Sequence, residues 1–282
     1  MNNLVLFSLI VLMCLRAIGL AVSIDFYKDS RDQKFLFFIL SWSFWIIANS
    51  TPITIELIDL NWVKELHHVL NVTCDLLGCI FYIWGFYQYF MRVPFKLMSL
   101  IIIISIVFPF LMYIFMGYSM AITISSISIY FVLITAYILP SFKIVRFKEY
   151  MGKSAKWYYI ILFILFLYFP ISAITFLSGY KHGLYTTDDP FLIMMYYVPA
   201  IIITGLLNLL LVHLEFTISS REKFELKDKY SHDLGNIMQV LYSSLDLIEL
   251  RKKINTEGQN ELRLIRQKCE EASELINNIR KL

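Results

Sequence analysis

The feature that most limits how this chain can fold is a series of seven long apolar runs in residues 1–214. A helix needs about 20 mostly apolar residues to cross the hydrocarbon core of a bilayer, and every run reaches that length. With 58% hydrophobic and 17% charged residues, the composition is far from that of soluble proteins. The sequence therefore predicts an all-α membrane protein with a seven-helix transmembrane bundle. The runs are Leu4–Ile24, Phe35–Ile55, Leu66–Phe90, Leu97–Met116, Met120–Leu139, Trp157–Leu177 and Phe191–Leu214.

The loops between the runs predict how the protein is oriented in the membrane. Short loops rich in Lys and Arg usually face the cytoplasm. The second, fourth and sixth loops contain only two basic residues, Lys64 and Lys181, whereas the odd-numbered loops are rich in Lys and Arg. We therefore expect a multi-pass protein of the cell membrane, with its amino terminus outside and its carboxyl terminus in the cytoplasm. The basic residues of the odd-numbered loops are Lys28, Arg31, Lys34, Arg92, Lys96, Lys143, Arg146, Lys148, Lys153 and Lys156.

Two charged residues, Arg16 and Asp75, lie inside the first and third runs. At a rise of about 1.5 Å per residue, their expected depths in the bilayer differ by only about 5 Å. Charges within a membrane are costly and usually face the interior of the helix bundle. Two interpretations remain open for this pair. Arg16 and Asp75 either form an ion pair that fixes helix packing, or they bind a ligand or a proton.

The charged tail, residues 215–282, contains 12 Lys/Arg and 12 Asp/Glu residues. A nucleic-acid-binding arm would need a basic excess, so we expect no nucleic-acid partner. Residues 255–260 are turn and cap residues that separate two helical patterns. The apolar residues of the first helix are Phe224, Tyr230, Leu234, Ile237 or Met238, Leu241, Leu245 and Ile248, and those of the second are Leu262, Ile265, Cys269, Ala272, Ile276 and Ile279.

This pattern predicts a two-helix hairpin in the cytoplasm. Spacings of three and four are typical of helices packed in a bundle. Because one hairpin cannot enclose a core, we expect two copies of the chain to form a dimeric four-helix bundle. The predicted domains are a transmembrane sensor domain (1–214), a connecting signalling helix (215–228) and the dimerising hairpin (229–282).

Within the tail, His232 is followed at once by Asp233 and, four residues later, by Asn236. On a helix, His232 and Asn236 share a face one turn apart, while Asp233 is rotated by about 100°. A neutral imidazole nitrogen can attack a phosphoryl group, and a neighbouring carboxylate raises its nucleophilicity. The stretch is therefore a candidate site for receiving a phosphoryl group. The competing interpretation is a surface histidine on a dimeric coiled coil.

The run Tyr230-Ser-His-Asp-Leu-Gly-Asn-Ile-Met-Gln-Val-Leu resembles the phosphoacceptor box of sensor histidine kinases, in its His-Asp-x-x-Asn form. The stretch Leu264-Ile-Arg-Gln-Lys-Cys-Glu-Glu-Ala-Ser-Glu-Leu-Ile resembles the second helix of the same dimerisation domain. The membrane half is similar to kinase input regions only in topology. The resemblance implies that His232 accepts the phosphoryl group and that Asp233 orients or deprotonates it. It also implies that Asn236 positions water for removing phosphate from a partner response regulator.

The sequence departs from that family in its catalytic half. It contains none of the Asn-rich and Gly-rich boxes of the kinase ATP-binding domain, and no P-loop. We therefore expect the chain to use ATP and Mg²⁺ only through a separate or removed catalytic domain, and to be kinase-like without phosphorylating itself unaided. The scattered cysteines Cys14, Cys74, Cys79 and Cys269 suggest neither a disulfide framework nor a metal site.

Together these features predict a membrane sensor of two-component signal transduction. It would receive a phosphoryl group at His232 or relay it to or from a response regulator receiver domain. The expected partners are a second copy of the chain, a separate kinase ATPase domain and the lipid bilayer. Because the seventh run continues into the first tail helix, tilt or rotation of that helix would pass to His232. The alternatives are a small seven-span transporter or channel with a dimerising coiled-coil tail, and a scaffold that pairs with kinases.

Overall fold

The computed structural model describes residues 3–55, 60–91, 93–143, 147–177, 189–250 and 256–281, together with most of their side chains. Every described element is helical. The helices are α1 (Asn3–Ser30), α2 (Gln33–Ile55), α3 (Asn61–Tyr87), α4 (Phe95–Lys143), α5 (Phe147–Met151), α6 (Ala155–Leu177), α7 (Pro190–Leu250) and α8 (Thr256–Lys281), with a 3₁₀ turn at Gly152–Ser154. The chain folds into two compact units, which we call the membrane unit (Met1–Leu214) and the tail unit (Glu215–Leu282).

Six segments in the described residues are long and apolar enough to cross a membrane. They are Asn3–Ser30, Gln33–Ile55, Asn61–Tyr87, Phe95–Tyr118, Met120–Phe142 and Pro190–Ile218. The prediction of an all-α membrane protein is confirmed at this level. The remaining expected span, Trp157–Leu177, falls on α6, and the side chains of 171–177 lie outside the described residues.

The long helix α4 changes direction at Gly117, whose φ of 76° and ψ of 169° are not helical. Glycine adopts this left-handed backbone conformation because it has no Cβ atom to clash with the chain. The expected boundary between the fourth and fifth apolar runs, at Gly117-Tyr118-Ser119, coincides with this break. Two span-length segments therefore follow each other with almost no connecting loop.

Polar side chains connect the helices of the membrane unit. The Ser41 hydroxyl of α2 donates a hydrogen bond to the Gly78 carbonyl oxygen of α3 at 2.7 Å, and the Asn208 amide of α7 donates to the Leu15 carbonyl oxygen of α1 at 2.9 Å. In lipid, close packing and hydrogen bonds between helices replace much of the hydrophobic driving force. Large apolar side chains such as Phe115 are exposed on the outside of the unit, as a lipid-facing surface requires.

The tail unit has a small core between α7 and α8. Leu245, Leu262 and Cys269 are buried there, with Met238 and Tyr242 packed against them. The spacing of seven between Leu262 and Cys269 places both side chains on one face of α8. Ile265, which we expected on the same face, is instead 47% exposed. Only part of the predicted apolar stripe of α8 therefore lies inside a single hairpin.

The start of α8 differs from the prediction. We expected residues 255–260 to form a break, but Thr256 to Asn260 belong to the helix, while residue 255 lies outside the described residues. Thr256 and Gln259 have the three-residue spacing of a capping box, a pattern that favours a helix amino terminus. The polar residues that suggested a turn are therefore compatible with the first turn of α8.

Candidate functional site

The three residues predicted to carry chemistry lie on the tail part of α7. The side chain of His232 is 70% exposed and that of Asp233 is 56% exposed, and Asn236 is exposed one turn further along. In the single chain, the imidazole is therefore accessible to a partner protein. The preceding residue, Ser231, is buried, because a step of about 100° around the helix turns it away from His232.

The imidazole Nδ1 of His232 has two polar neighbours. It lies 3.6 Å from Oδ1 of Asp233 and 3.3 Å from the side-chain nitrogen of Asn236. The first distance exceeds an ordinary hydrogen bond, so the carboxylate acts on the ring through its charge in this rotamer. An amide nitrogen donates and does not accept, so a hydrogen bond from Asn236 requires the lone pair on Nδ1 and the proton on Nε2. In the other neutral tautomer, Nδ1 carries the proton and Nε2 keeps the lone pair that nucleophilic attack requires.

A groove lies beside these residues between the two tail helices. Its volume is about 320 Å³, and the residues that line it are Gly235, Met238, Gln239, Tyr242, Ser243, Asp246, Ser273 and Ile276. The groove has both polar and apolar walls, and its first lining residue, Gly235, lies three residues after His232 on α7. A surface of this kind suits contact with another protein rather than the enclosure of a small ligand.

A second candidate site lies inside the membrane unit. A cavity of about 150 Å³ is lined by side chains from six helices, α1 to α4, α6 and α7. Its walls are mostly apolar and aromatic, but they include the two intramembrane charges, Arg16 and Asp75. The structure thus brings together the pair that the sequence singled out. The cavity also includes Asn49 and Asn71, which our interpretation of the sequence missed.

Arg16 and the backbone of Asp75 both contact Trp45. The Arg16 Nη1 donates to the Trp45 carbonyl oxygen at 2.5 Å, and its guanidinium carbon lies 5.5 Å from the centre of the Trp45 ring. The ring nitrogen of Trp45 in turn donates to the Asp75 backbone oxygen at 3.2 Å. Trp45 therefore stands between the two charged residues and links α1 to α3.

The two asparagines of the cavity carried a signal in the sequence. A polar side chain inside an apolar run is a candidate functional residue by default, because it must find a partner away from water. Asn71 has one, since its amide nitrogen donates to the Ala48 carbonyl oxygen at 3.0 Å. Asn49 is nine-tenths buried, and its amide nitrogen has no hydrogen-bond acceptor among the described residues.

Within the described part of the chain, no three His, Cys, Asp or Glu side chains are grouped closely enough to hold a metal ion. Comparison with protein-family models, with curated proteins and with solved structures finds no match.

Proposed function

We propose that this chain is the membrane sensor and phosphoacceptor part of a two-component system. The observation that carries the proposal is the exposed imidazole of His232, which has a carboxylate and an amide beside it on the helix that begins as an apolar span. A structural histidine would need neither neighbour. The resemblance of residues 230–241 to a phosphoacceptor box supports the same function.

The proposed reaction uses His232 as a nucleophile. Nε2 attacks the γ-phosphorus of ATP held by a separate catalytic domain, so an N–P bond forms as the bond to the ADP oxygen breaks. Asp233 stabilises the charge that develops on the ring through Nδ1. The phosphoryl group then passes to a carboxylate of a response regulator, and the histidine is restored. In a separate phosphatase reaction, Asn236 orients a water that attacks the phosphorus of the regulator's acyl phosphate, which releases inorganic phosphate and restores the carboxylate.

The proposed assembly is a homodimer joined through the tail. In the single chain, several large apolar side chains of the tail helices are exposed, and Val240 is 66% exposed. Contiguous exposed apolar surface on a soluble segment indicates a contact with a partner. From residue 230 onward, the exposed apolar residues in the described part of the tail are Tyr230, Leu234, Ile237, Val240, Leu241, Leu247, Ile248, Leu264 and Ile265. A second hairpin would cover them and complete a four-helix bundle.

The proposed placement in the cell membrane has seven spans, the amino terminus outside and the tail in the cytoplasm. The six apolar helices, together with α6 as the additional span, support the count. The basic residues of the odd-numbered loops support the orientation. This arrangement puts His232 in the compartment where ATP and response regulators occur.

The direct test is phosphorylation of the full chain in lipid nanodiscs. The chain is incubated with radiolabelled ATP, alone and with the ATP-binding domain of a sensor kinase, which is either added separately or fused after Leu282. We expect an acid-labile label only when that domain is present, and none in His232→Ala. Asp233→Asn should slow labelling by about 10²–10⁴-fold, the usual contribution of a general acid or base.

The matched control is His213→Ala, which removes an imidazole from the membrane part of the same helix and should leave labelling unchanged. The proposal fails if neither the added nor the fused domain labels the chain, or if His232→Ala is labelled as fast as the original. Labelling that is slowed equally by His213→Ala would also contradict it.

The second candidate function is transport or conduction across the membrane, and the cavity with Arg16 and Asp75 favours it. Charged residues inside a bundle often mark the path of an ion or a polar substrate. This function predicts flux of a small solute into liposomes that contain the protein. It also predicts that flux is indifferent to His232→Ala, while phosphorylation at His232 is absent.

A further inference from the structure

The cavity of the membrane unit has the dimensions of a small-molecule site. Its volume is about 150 Å³, similar to that of a protein cavity that admits benzene. Aromatic rings form much of its wall: Trp45, Tyr82, Tyr137, Tyr168, Tyr196 and Tyr197. A ligand of modest size with an apolar body therefore fits the space. The polar groups on the wall decide which charged and hydrogen-bonding groups that ligand carries.

The charges on the wall balance each other. Arg16 contributes a cation and Asp75 contributes an anion, and both line the same cavity. Within the described residues, no side-chain hydrogen bond or ion pair reaches the Asp75 carboxylate, which leaves its oxygens available on the cavity side. A cation or an anion entering alone would leave a net charge in an apolar enclosure, which is costly. A ligand with one charge of each sign keeps the cavity neutral.

Unpaired polar atoms point to the same kind of ligand. The Asn49 amide nitrogen and the Tyr137 hydroxyl are buried without a hydrogen-bond partner in the described part of the chain, and both residues line the cavity. Buried polar groups are normally hydrogen-bonded. The amide N–H groups of Asn49 need an acceptor, and the Asp75 carboxylate needs a donor.

We infer that this cavity binds a small zwitterion of amino-acid size. The ligand carboxylate faces Arg16, whose guanidinium carries five N–H donors, and accepts a hydrogen bond from Asn49. The ligand ammonium meets the Asp75 carboxylate. The surrounding rings contact the apolar body and attract the ammonium through their negative faces. The charges then alternate in sign across the cavity.

The site has a direct connection to the tail through one helix. Six lining residues belong to α7, the helix on which His232 also lies: Tyr196, Tyr197, Ala200, Ile203, Thr204 and Leu207. A ligand that favours one position of α7 would shift the population of that position. The role of the zwitterion as the sensed signal rests on the proposed function, whereas its binding in the cavity does not.

The test measures binding to the purified full chain in nanodiscs by calorimetry. The probes are valine and its isomer 5-aminopentanoate, which differ in the separation of their charges, together with pentylamine and pentanoate, which each carry one charge. We expect at least one zwitterion to bind about tenfold or more tightly than both single-charge probes. The inference is overturned if none of the four probes binds, or if pentylamine or pentanoate binds as tightly as the better zwitterion.

Two variants assign the binding to the proposed groups. Asp75→Asn should weaken zwitterion binding by about 30-fold or more, because truncating one partner of a buried charge pair has effects of that size, and should abolish the advantage over pentanoate. Asn49→Ala should weaken zwitterion and pentanoate binding alike and leave pentylamine unaffected. The matched control is Asp25→Asn on the exposed end of α1, which should change nothing. Equal binding by Asp75→Asn and the original chain would overturn the assignment.

The ligand-free unfolding midpoint of each variant shows that it is folded. If Asp75→Asn does not fold, Asn49→Ala and the comparison of the four probes still decide whether the cavity binds a zwitterion. The proposal of phosphorylation at His232 and the proposal of zwitterion binding are tested independently. A chain that binds no zwitterion can still be labelled at His232, and a chain that is not labelled can still bind a zwitterion.

Discussion

The two candidate sites of this protein are built in opposite ways. The tail site consists of neighbours on one helix, with His232 and Asn236 four residues apart, and its side chains are exposed. The membrane site consists of residues distant in the chain, with Arg16 and Trp45 29 residues apart and Trp45 and Asp75 30 apart. The first needs only a helix to exist. The second exists only when α1, α2 and α3 are packed together, and its cavity also needs α4, α6 and α7.

This difference has a consequence for stability. An exposed polar side chain keeps its hydration in the folded state, so removing it changes the free energy of unfolding little. The polar groups of the cavity are different, because they lie inside the helix bundle, where Arg16 and Asn71 hydrogen-bond to backbone oxygens of another helix. We therefore expect substitutions in the tail site to alter chemistry alone, and substitutions around Trp45 to alter folding as well.

The largest expected stability effect follows Arg16→Met, which keeps an unbranched apolar stem and removes the guanidinium. We expect a loss of about 3 kcal/mol, because a hydrogen bond from a charged donor contributes about 1.5–3 kcal/mol and the Asp75 carboxylate loses the compensating charge of its cavity. SDS titration in mixed micelles, followed by tryptophan fluorescence, measures it. His232→Ala should stay within about 0.5 kcal/mol of the original chain.

The matched control for Arg16→Met is Lys28→Met, which removes an exposed cation near the carboxyl-terminal end of α1. Adding Asp75→Asn to Arg16→Met should restore part of the stability, with a coupling above about 0.5 kcal/mol. Strictly additive effects would show that the two charges do not interact. Equal losses for His232→Ala and Arg16→Met would remove the contrast between the two regions.

A smaller effect is expected for Gly78→Ala on α3. A Cβ atom there would lie 2.5 Å from Cδ1 and 2.6 Å from Nε1 of Trp45, so the ring would have to move from its place between Arg16 and Asp75. We expect a loss of about 1–3 kcal/mol, as for other overpacked cores. The same titration applies, and zwitterion binding should weaken in parallel.

Gly205→Ala on α7 is the control, because an added Cβ atom there would have no neighbouring side chain or other helix within 4 Å. Alanine should be neutral there or stabilising by about 0.5–1 kcal/mol, since glycine is the poorer helix former. If both glycine variants behave alike, close packing against Trp45 is not what holds the membrane site together.

The contrast between the regions also explains what the sequence could predict. Apolar length predicted seven spans, six of which are span-length helices in the described residues. Helical periodicity indicated the faces of His232 and Asn236, because both patterns depend on local spacing. The start of α8 at Thr256 was missed because turn residues and helix-capping residues have the same composition. Ile265 is exposed in the single chain, because one hairpin covers only part of the apolar stripe, and the predicted burial of that stripe in a dimer stays a prediction.

The membrane site was only half predictable for the same reason. The cost of charge in lipid marked Arg16 and Asp75 as unusual, and their similar expected depth in the bilayer suggested that they lie close together. Their actual arrangement depends on Trp45, whose carbonyl oxygen and ring nitrogen serve different helices. An aromatic residue in an apolar run gives no sign of such a role in the sequence. Only the packing of α1, α2 and α3 reveals it.

The smallest expected effect concerns an ion pair on the tail surface. Arg266 Nη2 lies 2.6 Å from Asp246 Oδ1 and links α8 to α7, yet both side chains are substantially exposed. Asp246→Asn should therefore cost only about 0.2–1 kcal/mol, and the loss should shrink as salt screens the charges. Thermal unfolding of the full chain at low and high salt, compared with Asp228→Asn on the same helix, measures it. A loss as large as that of Arg16→Met, and independent of salt, would show that the exposed tail depends on fixed polar contacts in the way the membrane unit does.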